Sequence, residues 1–189
     1  MVATSQITPS SGGNGVNGSH AVLTPVSKKL TFGRCFTQEA QPVREMFKWK
    51  TVDAVLRNAK GEETFRQDGV EAPEQWSERA IKIVAEKYLR VVDGVKETSV
   101  YQLAFRVANF ITQAGHDQGL FDADVAVDFQ DELLFLILDQ RFSFNSPVWF
   151  NVGVRLNEKA QSSACFIQCV QDTMESIMDL EKKEVMLFK

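Results

Sequence analysis

Between Ser162 and Leu180 a short apolar run leads directly into a helix start, and no other stretch restricts the possible fold as much. Ala164-Cys165-Phe166-Ile167-Gln168-Cys169-Val170 is rich in Phe, Ile, Val and Cys, the profile of a buried strand rather than of a helix. Asp172, with Glu175 three residues later, is a capping-box signal for the helix that follows through Leu180. A strand that passes straight into a capped helix is a βα unit. The end of such a strand and the first turn of its helix favour ligands, because free N–H groups and the positive end of the dipole lie there. On the strand, Cys165 shares a face with Ile167 and Cys169. Four residues of strand span about 13 Å, beyond the roughly 4.4–6.8 Å between Cα atoms that a disulfide tolerates, so these two cysteines are not expected to pair.

Upstream, Ser143-Phe144-Asn145-Ser146-Pro147-Val148-Trp149-Phe150-Asn151-Val152-Gly153 mixes a proline, two asparagines and a glycine with large aromatics, which reads as a folded loop exposing backbone and short polar side chains. Residues 1–28 are rich in Ser, Gly, Asn and Thr and nearly free of large apolar groups, so a disordered tail is expected. Phe32, Cys35 and Phe36 are the first candidate core anchors, and Cys35, with no neighbouring ligand residue, reads as a free thiol. Phe47 to Gln67 predicts a hairpin turning at Asn58-Ala59-Lys60-Gly61, with Val52, Ala54 and Leu56 on one side and Thr64-Phe65 on the other. A helix follows Pro73, with Trp76, Ala80, Ile83, Val84 and Tyr88 inward and Glu78, Lys82, Glu86 and Lys87 in water. Ser99 and Gln102 open another helix, with Leu103, Val107, Phe110 and Ile111 inward and Gly115 marking its end. Asp122 begins a third, densely apolar from Phe129 to Leu138. The organisation expected is a tail over 1–28, a small β element over 29–70, a helical region over 71–141 and a βα-containing region over 142–189.

A chain of 189 residues with 44% hydrophobic content suffices for one core. A net charge of −4 and a pI near 5.3 argue against a nucleic-acid partner, which usually requires a basic patch. No run approaches a membrane span, and the N-terminus lacks the apolar core of a secretory signal. Three cysteines without framework spacing suit a reducing, cytoplasmic setting.

Hydrolytic triads need a histidine base beside a nucleophile. The two histidines are His20 in the tail and His116 at a helix C-terminus, where capping of carbonyls is the ordinary role. No phosphate-loop or dinucleotide fingerprint occurs, and no metal-ligand cluster is singled out. Cys165 is left as the reactive side chain with a defined role on offer, and on composition alone it reads as an inert buried thiol.

Three strings in order, Phe144–Gly153, Ser163–Ile167 and Asp172–Leu180, resemble the adenosylcobalamin-dependent class II ribonucleotide reductases. The resemblance implies an α+β fold leading into α/β, in which the hairpin and helical region precede the first βα unit of an incomplete ten-stranded α/β barrel. It also implies that the chain is the N-terminal portion of a longer enzyme and does not turn over alone. Cys165 would be one of two thiols that reduce the ribonucleotide and end as a disulfide, after a thiyl radical made with adenosylcobalamin abstracts the ribose 3′ hydrogen. Ser146 and the backbone of Ala164 would hold substrate. Asp172 would hold the sugar of a deoxynucleotide effector, or serve as a plain N-cap, or both. Cys169 has no catalytic counterpart and reads as structural. An external thiol reductant such as thioredoxin and a homodimer are implied as partners. The rivals are the large subunit of a metal-radical class I reductase and a non-catalytic helical module that binds nucleotides or a partner protein. Trp149-Phe150 and the string from Asp172 favour the cobalamin class.

Overall fold

In a computed structural model the described residues are 29–154 and 161–188. The expected tail and His20 lie outside them. The first ordered element is an arm over residues 29–37, tied to what becomes the third helix. Its Leu30 N–H donates to Leu120 O at 2.7 Å, and Lys29 pairs with Asp122. Arg34 bridges Asp128 at 2.7 Å and Asp131 at 2.9 Å. Phe32 and Phe36 are not the buried anchors expected of them. They remain about half exposed and lie on Phe129 and Phe135, and the buried positions are Thr37 and Val43.

The hairpin forms as expected but runs further. Strand β1 (Trp49–Arg57) pairs antiparallel with β2 (Glu63–Pro73). At the turn the Asn58 side-chain oxygen accepts from the N–H groups of Lys60 and Glu62, and Gly61 takes φ +83°, an arrangement in which asparagine and glycine each have a local role. The register shifts between Val52 and Ala54, where Asp53 accepts from the Gly69 N–H at 2.9 Å and Gly69 has φ +65°. Pairing resumes beyond this bulge, which carries β2 past Gln67.

Helix α1 (Glu78–Lys87) starts at Ser77, whose hydroxyl accepts from the Ala80 N–H. Its buried face is Ile81, Ala85 and the following Leu89, while Ala80, Val84 and Tyr88 are partly buried beside it and Ile83 is 42% exposed, so the expected stripe is rotated by one residue, about 100°. A two-residue hairpin, β3 (Val91–Val92) and β4 (Val95–Lys96), leads to α2 (Val100–Asp117). Ser99 caps the helix and Gln102 reaches back as expected, each to a neighbour of the residue a strict capping box would use: Ser99 Oγ accepts from Tyr101 N–H at 3.0 Å, and Gln102 Oε1 accepts from Thr98 N–H at 2.7 Å. Gly115 does not end this helix. It lies inside it, where a Cβ would come within 2.5 Å of the Phe121 ring, and the chain instead turns at Gly119, φ +68°. The third helix, α3 (Ala123–Leu138), begins after Asp122 as expected, although that carboxylate caps no N–H and faces Lys29.

The segment read as a loop contains a short helix, α4 (Ser146–Asn151). Pro147 explains the difference, since in the first turn its fixed φ suits a helix and its missing N–H costs nothing. One buried cluster joins Ala54 and Val70 of the hairpin, Ile81 of α1, Val107 of α2, Leu138 of α3 and Trp149 of α4.

The expected strand over 164–170 is absent: residues 161–170 carry no regular secondary structure, with a bend at Ala164, and Ile167 is 96% exposed. A strand exists by pairing its N–H and C=O groups with a neighbour, and the described sheets, β1-β2 and β3-β4, offer it none. Helix α5 (Met174–Phe188) follows and buries none of its residues. Its cap is Thr173 rather than Asp172: Thr173 Oγ1 accepts from Ser176 N–H at 3.2 Å, and Ser176 Oγ accepts from Gln171 N–H at 2.9 Å. The cap thus lies one residue later than expected, and the returning bond from Ser176 goes to Gln171 rather than to the cap's own N–H.

Candidate functional site

Ser146 opens α4, and its hydroxyl is held from outside that helix. Tyr88, the residue that ends α1, places its Oη 3.1 Å from Ser146 Oγ. The Tyr88 ring stacks on Phe150, with centroids 5.3 Å apart. Phe150 is gripped again by Arg90, whose guanidinium lies 4.8 Å from the ring centroid and whose Nε donates to Phe150 O at 3.3 Å. At the start of the segment, Trp149 Nε1 donates to Phe144 O at 2.8 Å, so a buried indole closes the approach to the helix.

The far end of α4 is fixed by a buried cation. The side chains of Arg106 and Glu97 are each 6% exposed and pair at 2.8 Å. Arg106 Nη2 donates to Trp149 O at 3.2 Å, and Nη1 donates to Val152 O. These carbonyls belong to the end of a helix, where acceptors lack intrahelical donors and a cation is favoured. Glu97 also accepts from Arg90 N–H at 2.9 Å. Burial pushes the Arg90 pKa down, repulsion from Arg106 adds to this, and Glu97 opposes both. Gly153 makes the close approach possible: its φ is +69°, and a Cβ there would stand 2.8 Å from Arg106 Cγ.

Cys165 and Ala164 lie on the irregular segment over 161–170 and are exposed. Cys165, Ile167, Asp179, Lys183 and Met186 line a groove of about 640 Å³ between that segment and α5. The segment is tied to α4 by Asn151 Nδ2, which donates to Gln161 O at 2.7 Å. Among the described residues no hydrogen bond joins Ser146 to Ala164 or Cys165. Asp172 is exposed beside the Thr173 cap. Cys169 and Cys35 are exposed free thiols, and His116 is exposed with Nδ1 3.7 Å from Asp117.

Arg90, Glu97 and Arg106 are not singled out by the sequence, and Tyr88 enters there only as a core residue of α1. Arg106 did leave a trace. With Leu103, Val107 and Phe110 it occupies one helical face of α2, and a charge on an apolar stripe is buried only when paired.

With this geometry in place, the comparisons with known proteins agree with the resemblance. Residues 50–140 match the family described as class II vitamin B12-dependent ribonucleotide reductase. The chain is 42% identical over 176 residues to a vitamin B12-dependent ribonucleotide reductase of Streptomyces coelicolor, an alignment covering 90% of this chain and 18% of that relative. Similar proteins of the same description are found in Streptomyces clavuligerus, 41% identical over 177 residues, covering 91% of this chain and 18% of the relative, and in Rhodopirellula baltica, 36% over 172 residues, covering 75% and 16%. The chain belongs to the class II vitamin B12-dependent ribonucleotide reductases. It spans less than a fifth of the length of these curated relatives, and the class I and helical-module rivals are not favoured by the matches.

Proposed function

We propose that this chain is the N-terminal portion of an enzyme that converts ribonucleotides to deoxyribonucleotides in the cytoplasm, with residues 142–189 beginning its catalytic barrel. The observation that carries the reading is an accessible free thiol, Cys165, beside an open groove, in a chain of which 90% aligns with a reductase so named. In the reaction Cys165 and a second thiol supply two electrons and two protons. The 2′ hydroxyl leaves as water, a hydrogen takes its place on the ribose, and the two sulfurs form a disulfide that an external dithiol such as thioredoxin reduces again. Ser146 and the backbone of Ala164 hold the substrate, and Asp172 holds the sugar of a deoxynucleotide effector. The segment over 164–170 becomes a paired strand when the other strands of a ten-stranded α/β barrel lie beside it. The exposed apolar side chains of α5, among them Met174, Ile177 and Met178, support a homodimer formed across that helix. No helix among the described residues is long and apolar enough to cross a membrane.

Family membership implies adenosylcobalamin, which supplies radical initiation when bound. The orphaned buried side-chain oxygens among the described residues, Gln67 Oε1 and Thr112 Oγ1, do not line the groove beside Cys165, and no residue described here is assigned to the corrin. The deciding experiment is Cys165→Ser in the full-length enzyme, given a substrate tritiated at the ribose 3′ position. Abstraction of the 3′ hydrogen should persist while deoxynucleotide formation stops, so tritium that productive turnover returns to the ribose should be lost as the stranded substrate radical decays, and Cys169→Ser should turn over normally. After one turnover without reductant, peptide mapping of the unmodified enzyme should find Cys165 in a disulfide with a cysteine outside this stretch. Normal product formation by Cys165→Ser would refute the assignment.

A further inference from the structure

The hydroxyl of Ser146 has a partner already, and the character of that partner bears on what Ser146 offers a ligand. Tyr88 Oη stands 3.1 Å from Ser146 Oγ. A phenol is the more acidic hydroxyl of the two and hence the better donor. With the phenolic proton directed at Ser146 Oγ, one of the two serine lone pairs is occupied and the serine proton is left free to point away. Ser146 is thereby oriented to donate. The ligand oxygen it suits is an acceptor, which on a nucleotide means phosphate or a base or sugar oxygen.

The position of Tyr88 is fixed independently of this bond. Its backbone closes α1, donating N–H to Val84 O at 2.9 Å, and its ring stacks on Phe150, itself held by Arg90. The phenol therefore cannot follow Ser146 if the serine rotates, and a serine hydroxyl otherwise has three staggered positions. We propose that Tyr88 is a positioning residue for substrate binding, which fixes the Ser146 hydroxyl as a donor to an acceptor oxygen of the nucleotide. This rests on the reading of Ser146 as a substrate contact.

Tyr88→Phe removes the one hydroxyl and keeps the ring on Phe150, so the packing survives. In the full-length reductase, binding of CDP and of CTP is measured by equilibrium dialysis for the wild type, Tyr88→Phe, Ser146→Ala and the double variant, and KM and kcat are recorded for each. Tyr88→Phe is expected to weaken binding of the accepted nucleotide by roughly fivefold, the range of one hydrogen bond, raising KM with kcat unchanged. On the Ser146→Ala background the same change should have no further effect, because Tyr88 acts through that hydroxyl. A purely structural tyrosine would give additive effects, which would overturn the proposal. Weakened binding in Ser146→Ala together with wild-type affinity in Tyr88→Phe would overturn it alone. Wild-type affinity in Ser146→Ala would remove the substrate role of Ser146, and with it this inference.

Discussion

Replacing Arg106 by methionine keeps an apolar stem of similar length in α2 but removes three sets of hydrogen bonds at once. Lost are the pair with Glu97, 2.8 Å and 6% exposed on both sides, and the donations to Trp149 O and Val152 O at the end of α4. Glu97 is then a buried carboxylate whose remaining partner is the Arg90 N–H. Removing one member of a buried pair costs about 3–5 kcal/mol, chiefly for the charge left behind. At about 1.4 kcal/mol per factor of ten, hydrogen exchange at the Val148 and Val152 amides should accelerate by roughly 10² to several 10³-fold. Adding Glu97→Gln separates two effects. It neutralises the stranded carboxylate, so global stability in urea should recover in part, as replacing both partners usually costs less than breaking a pair. It returns no donor to the α4 carbonyls, so exchange there should stay fast. Mass spectrometry of the peptide over 144–154 reads the local effect and urea denaturation the global one. Exchange in Arg106→Met within about threefold of the wild type, or local protection that recovers together with global stability in the double variant, would refute the idea that this guanidinium holds α4.

Gly153→Ala places a methyl 2.8 Å from Arg106 Cγ at a φ of +69°, so a loss of about 2–3 kcal/mol in urea denaturation is expected, with α4 amides again the most affected. At Glu132, burial raises the pKa, but the Thr37 hydroxyl and the backbone N–H groups of Phe36, Thr37 and Cys35 outweigh it and hold the carboxyl below its ordinary value of 4.5. A depressed carboxylate pKa stabilises the fold above the unfolded value and stops doing so as pH falls through the folded one. The arm over residues 29–37 should therefore lose exchange protection below about pH 4.5, and Glu132→Gln should flatten that dependence.

Local rules in the sequence reached as far as local interactions decide the structure. The Asn58–Gly61 turn and the Ser99–Gln102 caps were legible because each rests on groups within four residues of one another. Errors arose where one residue type has two uses. Gly115 looked like a helix end, yet it is a point of close approach to Phe121, and Pro147 looked like a loop residue, yet it sits in the first turn of α4. The α1 stripe was misplaced because Val84 and Tyr88 fit either of two adjacent faces, and only contact with the hairpin selects the one centred on Ile81. The strand over 164–170 differs in kind. Its apolar pattern states what it would bury, but a strand needs a partner, and none is available among the described residues.

The same division runs through the candidate site. Everything that fixes Ser146 comes from nearby helices: Tyr88 at the end of α1, Arg90 just after it, and the Arg106–Glu97 pair under α4. These contacts link residues 43 to 60 positions apart, so no string reveals them, and the one legible trace was the charge on the apolar face of α2. Cys165 has no such support. Its segment is exposed, α5 beside it buries nothing, and the bond from Asn151 to Gln161 is the tie described between α4 and the segment. On the proposed reading, the two halves of the site are therefore stabilised by different sources. Substitutions in α1 and α2 should act on Ser146 and on nucleotide affinity. The placement of Cys165 should depend on barrel strands beyond the described residues, because a single extended segment gains its order only from the neighbours that pair with it.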